Sequence, residues 1–172
     1  KITHHNFKPQ SNLRFFYPFF LIFEIQKNKS MDTFIQKFHS GWAYLAIALL
    51  VFAVVNSIIG KTSGKEFTAK DRKIALFALI GVHIQLLVGI ILYFVSPLGS
   101  ASFGQMSDKA LRLTSLEHPL INIIAIVLIT IGWSKHKKAT ESVAKFKSIA
   151  LFYGLGLVLI LSRIPWSLWF SN

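Results

Sequence analysis

The chain has 172 residues, which is the usual length of one domain. Of these residues 53% are hydrophobic and only 15% are charged, which excludes an ordinary soluble globular protein, in which about 25% of the residues are charged. It contains no cysteine, and this excludes disulfide frameworks, thiolate metal sites, iron–sulfur clusters and covalent c-type haem attachment. The net charge is +12, but the bases lie in short loops between apolar runs, so a membrane-facing role fits better than nucleic-acid binding.

Residues 1–30 precede the first methionine, Met31, and are not predicted to cross a membrane. Their longest apolar run covers 11 residues, 15–25, and contains Pro18 and Glu24. A spanning helix needs about 20 residues. No small-residue cleavage site follows the run, so a signal peptide is not predicted either. The pattern favours a non-native upstream extension or a disordered leader, with an interfacial anchor as the alternative.

Four apolar segments after this region are long enough to cross a bilayer. Each is close to the roughly 20 residues that a helix needs to span the hydrocarbon layer. Backbone groups in lipid must be paired within the segment, which favours helices. The sequence therefore predicts an all-α, integral membrane, up-down four-helix bundle over residues 31–172. The predicted spans are residues 41–60, 73–96, 114–133 and 146–170.

Loop charges predict the orientation of the bundle in a bacterial inner (cytoplasmic) membrane. Loops 61–73 and 135–147 carry five Lys or Arg residues each, whereas loop 97–113 carries two. Short basic loops stay in the cytoplasm, so both termini and loop 97–113 are predicted on the outer side. Residues 1–30 add five bases on that side, a second reason to expect that they are not part of the working protein.

Two histidines, His39 and His118, are predicted in the first turns of the first and third spans, on the same side of the membrane. These helices are diagonal neighbours in an up-down bundle. The two imidazoles could therefore ligate one metal ion or one haem iron, with nitrogens about 2 Å from the metal. Titratable groups in hydrocarbon are functional hypotheses by default. The alternative is a pair of interfacial histidines that bond to headgroups or water.

Small residues follow both histidines at helical spacing, which would make room for a flat macrocycle. Small residues also let helices approach closely without a cofactor, so both interpretations stay open. Asn122, one turn after His118, is included among the predicted cofactor-binding residues. The two faces comprise Ala43, Ala46, Ala53 and Asn56 after His39, and Asn122, Ala125, Ile129 and Gly132 after His118.

Arg163 is an unusual charge within the fourth span, about seven residues from its outer end or roughly 10 Å below it. It is predicted to pair with an anion, either a haem propionate or Glu117. The alternative is that the side chain extends outward to the headgroups. Pro165 is expected to loosen the helix beside it.

Two other histidines receive structural predictions. His83 lies more than about 10 Å below His39, too far to share a metal with the outer pair. A helix–helix hydrogen bond is the favoured interpretation of His83, with a second haem ligand or a quinone hydrogen-bond donor as alternatives. His136, in a basic loop, is predicted to be solvated.

The stretch FIQKFHSGWAYLA, residues 34–46, resembles the opening of the first bundle helix in either half of haem A synthase. Residues 85–89 look like that family's Q-x-x-x-G stretch, and His118 occupies the place of the second ligand. The likeness covers about 140 residues, one four-helix half of that enzyme. The chain also resembles small four-helix Bacteroidota membrane proteins of the cytochrome b type. The enzyme's glutamate is replaced by Gln36, and its cysteine pair is absent, so the resemblance implies haem b binding rather than haem modification.

The leading hypothesis is a b-type cytochrome-like membrane protein that binds one haem b between the first and third helices for one-electron transfer. His39 and His118 would be the axial ligands, with Arg163 and Asn122 beside the haem. Its partners would be the lipid bilayer and a quinol or respiratory-chain component. An electron carrier is favoured over an enzyme.

Three alternatives remain open. One is a membrane subunit or scaffold without a cofactor. Another is a haem A synthase-like enzyme in which Glu117 replaces the missing acid. The last is a metal transporter that uses an outer cluster of Gln36, His39, Glu117 and His118.

Overall fold

The structure of this chain is a computed structural model that describes residues 29–170. In this part of the chain, four helices are long and apolar enough to cross a membrane. No strand occurs in that part of the chain. The predicted all-α fold is confirmed, and the architecture is that of a multi-pass membrane protein. The predictions for residues 1–28 lie outside the described residues. The helices are α1 (Lys29–Thr62), α2 (Ala69–Val95), α3 (Lys109–Lys138), α4 (Ser142–Ser162) and a short α5 (Trp166–Phe170).

The four long helices form a ring in chain order. Each packs against the next, and α1 closes the ring against α4. The contact between α2 and α3 is the least extensive of the four. As predicted, α1 and α3 therefore lie diagonally opposite each other, which is the arrangement that brings the two candidate histidines together.

Close packing between α3 and α4 depends on glycine. A Cβ atom built on Gly156 would lie 2.6 Å from the side chain of Ile129 and 3.1 Å from the carbonyl oxygen of Ala125. A Cβ on Gly132 would lie 2.6 Å from Phe152. Ala125, Ile129 and Gly132 therefore form a helix–helix interface, so for these three residues the structure favours packing, one of the two interpretations that the sequence left open. Small residues at such spacing serve either purpose, and here they serve helix packing.

Several predicted helix bounds differ from the structure. The helix α1 begins twelve residues before the predicted position 41, so His39 lies about three turns inside it rather than in its first turn. The helix α3 extends five residues beyond each end of the predicted span 114–133. Hydropathy detects only the apolar part of a helix, and polar turns that continue it outside the hydrocarbon leave no such signal.

The fourth span ends earlier than predicted. The helix α4 stops at Ser162, and Arg163 is its C-terminal cap. Pro165 has no N–H to continue the helical hydrogen bonds and disfavours helical geometry at the residue before it. The prediction that Arg163 lies about 10 Å inside a helix that runs to residue 170 is therefore wrong: it sits where the helix breaks.

The opposite end of the bundle, called the basic end, consists of the end of α1, the start of α2, the end of α3 and the start of α4. The Thr68 and Asp71 side chains form a capping box at the start of α2. The buried Asp71 carboxylate also accepts hydrogen bonds from Asn56 Nδ2 at 2.9 Å and Lys65 Nζ at 2.8 Å. This network fixes the turn between α1 and α2.

His136 is buried at the basic end, and the prediction that it is solvated is wrong. It is only 2% exposed, and its ring lies 4.4 Å from that of Trp133 and 5.7 Å from that of Phe67, between ring centres. Its Nδ1 lies 2.6 Å from the Trp133 carbonyl oxygen. The reason is that α3 continues to Lys138, so His136 occupies an inward face of a helix instead of a loop.

Candidate cofactor-binding site

A cavity of about 560 Å³ lies between the helices at the end that carries His39 and His118. This volume is within the range of ligand pockets, about 300–1,000 Å³. Ala43 and Ala46 of α1, Gln85 and Gly89 of α2, and Asn122 and Ile126 of α3 line it together with the two histidines. The cavity, called the histidine cavity below, is mostly apolar with a few polar groups that converge from three helices.

The two imidazoles approach each other across this cavity. Their ring centres are 6.3 Å apart, and the ring planes are inclined at 78°. Two imidazole nitrogens bound to opposite sides of one metal, each about 2 Å from it, place the ring centres roughly 6 Å apart. The separation of His39 and His118 therefore suits two histidines that would hold a single metal centre.

The hydrogen bonds of His118 leave one ring nitrogen available. Its Nδ1 lies 2.8 Å from the backbone carbonyl oxygen of Arg163. Because a carbonyl oxygen can only accept, Nδ1 carries the proton and Nε2 keeps its lone pair. Histidines that ligate metals commonly donate their other N–H to a carbonyl or carboxylate in this way. Asn122 Nδ2 donates to the carbonyl oxygen of His118 at 2.7 Å and so helps to fix the backbone that carries this histidine.

A local distortion of α3 sets the position of His118. Residues Leu113–Glu117 form a π turn, and the His118 N–H bonds to the Leu113 carbonyl oxygen. Pro119 follows, and a wider turn accommodates a residue that lacks an N–H and whose ring would crowd the preceding carbonyl. Such π turns inside α-helices are frequent at functional sites. The His-Pro pair is therefore held by a turn within a longer helix.

His39 is positioned by α2. Gln85 Nε2 donates to the His39 carbonyl oxygen at 3.0 Å and lies 3.3 Å from each ring nitrogen of His39. A Cβ on Gly89 would lie 3.1 Å from His39 Cε1, so glycine makes room for the ring. The buried Gln85 Oε1 has no hydrogen-bond partner within residues 29–170. Sequence reasoning did not assign Gln85 and Gly89 to the site, although their i, i+4 spacing on one face was the available signal.

Arg163 contributes to the site through its backbone rather than its guanidinium. The side chain lies 3.4 Å from Glu117 Oε2, whose other carboxylate oxygen is 2.9 Å from Arg112 Nε. The predicted pairing of Arg163 with Glu117 is therefore present, while its pairing with a propionate stays a prediction. Glu117 and Arg163 do not line the histidine cavity. Within residues 29–170, no three His, Asp, Glu or Cys side chains are grouped to hold a metal ion.

The cavity opens sideways between α2 and α3. Ile90 and Phe94 of α2 line it and are 44% and 57% exposed. Leu120 and Ile123 of α3 line it as well and are 50% and 46% exposed. Apolar side chains that are both cavity lining and exposed mark an opening towards the apolar surface that would face lipid.

His83 lies apart from the histidine cavity. Its Nδ1 is 2.7 Å from the Leu79 carbonyl oxygen, and its Nε2 is 3.4 Å from Thr130 Oγ1 of α3. The predicted helix–helix hydrogen bond is therefore present. It joins α2 and α3 deeper in the bundle than the lateral opening.

Three of the four predicted cofactor-binding residues thus line the cavity with their side chains. His39, His118 and Asn122 meet at the histidine cavity, and the fourth, Arg163, is present through its carbonyl group. Compared with known proteins, the chain matches no family model, no curated protein and no solved structure. Its function is therefore inferred from the chemistry of the site itself.

Proposed function

We propose that this protein is an integral membrane b-type cytochrome-like electron carrier that holds one haem b in the histidine cavity. The observation that carries the proposal is the pair of imidazoles 6.3 Å apart across an apolar cavity. The hydrogen bond from His118 Nδ1 to a backbone carbonyl strengthens it, because it leaves Nε2 free to ligate. A bound haem would supply a one-electron iron couple.

The residues of the chain would hold the group and control its surroundings. His39 and His118 would hold the iron through their imidazole nitrogens, and Asn122 and Gln85 would fix the two histidine-bearing backbone segments. The apolar walls would exclude water and, together with the two histidines, set the reduction potential. Arg163, at the same end of the bundle, would exchange part of its contact with Glu117 for a propionate.

The state of Glu117 favours a carrier over a haem-modifying enzyme. An enzyme of the haem A synthase kind would need an acid in place of Gln36, and Glu117 is the candidate. Both oxygens of Glu117 already face guanidinium groups, those of Arg112 and Arg163. Both contacts hold the carboxylate against the two guanidinium groups, and Glu117 does not line the histidine cavity. The same pairing weighs against the metal-transporter hypothesis, which also needs Glu117 as a ligand.

The lateral opening supports a partner that is dissolved in the bilayer. A quinol or another lipid-soluble donor could reach the cavity between α2 and α3 without crossing the headgroup layer. We propose a bacterial inner membrane as the location of the protein, with the histidine cavity near the outer face, because the more basic loops lie at the opposite end of the bundle. A membrane scaffold without a cofactor is the second candidate.

The direct test is spectroscopic. We expect the full chain, purified in detergent and titrated with haemin, to bind one equivalent and to give Soret and α bands in the reduced-minus-oxidised spectrum. Six-coordinate bis-histidine ligation should also give a low-spin electron paramagnetic resonance signal. A protein that stays folded but retains no haemin after removal of the excess would contradict the proposal and favour the scaffold.

A substitution at the lateral opening tests the route by which the cavity is filled. Ile123→Trp should slow the transfer of haemin from lipid vesicles into the protein several-fold, because the indole would fill the gap between α2 and α3. Val127→Trp is the matched control, since Val127 lies one turn further along α3, is 52% exposed and does not line the cavity. Equal transfer rates in the two variants, followed by stopped-flow absorbance, would argue against lateral entry.

A further inference from the structure

A groove between α1 and α4 at the basic end brings two lysines together. Gly60 of α1 lies directly under the ring of Phe146, where a Cβ would overlap that ring. This close crossing places the next residue of each helix, Lys61 and Lys147, on the same groove. The groove has a volume of about 270 Å³ and is lined by these lysines together with Ala150 and Leu151.

The two lysines carry charges that no neighbouring acid balances. Among residues 29–170, the ion pairs are Lys65–Asp71, Arg112–Glu117 and Arg163–Glu117, and none includes Lys61 or Lys147. Five other bases at this end lie over aromatic rings, whereas these two do not. Those bases are Lys65 over Phe146, Arg72 and Lys137 over Trp133, Lys135 over Phe152, and Lys145 over Phe67. Two like charges in one groove attract an anion.

The surface that continues from the groove towards the middle of the bundle is apolar. Ile58, one turn before Lys61, is 47% exposed. Leu151 and Leu155, one and two turns after Lys147, are 49% and 48% exposed. These side chains would contact lipid tails in a bilayer, while the two ammonium groups lie at the depth of the headgroups. The small Ala150 leaves space at the boundary between the charged and apolar parts.

We propose that this groove binds an anionic glycerophospholipid, with its phosphate between Lys61 and Lys147 and its acyl chains along the apolar surface of α1 and α4. Basic pockets between membrane helices bind anionic headgroups by this combination of charge and apolar contact. The apolar continuation selects a lipid over free phosphate. The site is separate from the histidine cavity and does not depend on haem binding.

Native mass spectrometry of the full chain in detergent tests the proposal, with dioleoylphosphatidylglycerol and dioleoylphosphatidylcholine as the two probes. The unmodified protein should retain the anionic lipid in preference to the zwitterionic one. The variant K61Q/K147Q should bind phosphatidylglycerol about tenfold or more weakly, since each base near the membrane surface contributes about 1 kcal/mol. K61R/K147R should keep the preference.

The control is K70Q/K138Q, which removes the same charge from two exposed lysines of the basic end that do not line this groove. It should retain the lipid as the unmodified protein does, and circular dichroism should show equal helix content in all variants. Equal loss of lipid in both glutamine variants would show a diffuse charge effect and overturn the proposal. Displacement of the lipid by inorganic phosphate, or no preference for the anionic lipid, would overturn it as well.

Discussion

Replacing either candidate ligand with alanine is expected to abolish the bis-histidine spectrum that we propose for this protein. His118→Ala removes the imidazole whose Nε2 is free because Nδ1 donates to the Arg163 carbonyl oxygen. His39→Ala removes the partner ring 6.3 Å away, between ring centres. Each variant would leave at most one protein ligand, so a low-spin signal should be replaced by a high-spin one or by no bound haem.

The matched control is His83→Ala. His83 is also a histidine within an apolar helix, but it bonds to Leu79 and Thr130 and does not line the histidine cavity. Its removal should leave the spectrum and the stoichiometry unchanged. Visible and electron paramagnetic resonance spectra of the three variants, with circular dichroism as the check on folding, provide the measurement. A low-spin spectrum that survives in His39→Ala or His118→Ala would refute the ligand assignment, and its loss in His83→Ala would show that His83 is a ligand instead.

A more conservative variant separates ligation from support. Asn122→Leu removes the amide that donates to the His118 carbonyl oxygen at 2.7 Å but leaves both imidazoles in place. We expect weaker haem binding with the same type of spectrum, because a supporting residue orients the ligand without contacting the metal. Haemin titrations of this variant distinguish support from ligation by the affinity and the band positions.

The sequence predicted the parts of the site that depend on side-chain identity and helix order. Four apolar segments of sufficient length determine the helical bundle, and short connections between antiparallel neighbours place α1 and α3 on a diagonal. Two histidines near the same end of two diagonal helices then approach each other. The inference that the two histidines meet needs only the direction of each helix, so it remains valid when the predicted helix bounds are wrong by several residues.

The sequence could not predict contacts that depend on backbone groups or on the choice between two helix faces. The Arg163 carbonyl oxygen is available to His118 because α4 ends at Ser162, and only Pro165 indicates that break. Ala125 and Gly132 fit a cavity wall and a helix interface equally well by spacing. Their assignment to the interface follows from the position of Gly156 and Phe152 on a neighbouring helix, which is tertiary information.

The interface between α3 and α4 offers the second large expected effect, on the stability of the protein. Gly156→Ala should lower the free energy of unfolding by about 1–3 kcal/mol, the usual cost of forcing extra atoms into a packed interior. The new Cβ would lie 2.6 Å from Ile129 Cγ1, 2.8 Å from its Cδ1 and 3.1 Å from the Ala125 carbonyl oxygen. Ile129 is fully buried, and the carbonyl belongs to the helix backbone, so α3 and α4 must separate.

Gly154→Ala is the control because it makes the same chemical change two residues away on the same helix. Its Cβ would meet only Val54 Cγ1, at 4.0 Å, so no overlap arises. Alanine is also the better helix former by about 1 kcal/mol, and no loss of stability is expected there. Unfolding in mixed detergent and sodium dodecyl sulfate, followed by circular dichroism, measures both variants. If Gly156→Ala were as stable as Gly154→Ala, the close approach of α3 and α4 at this glycine would be wrong.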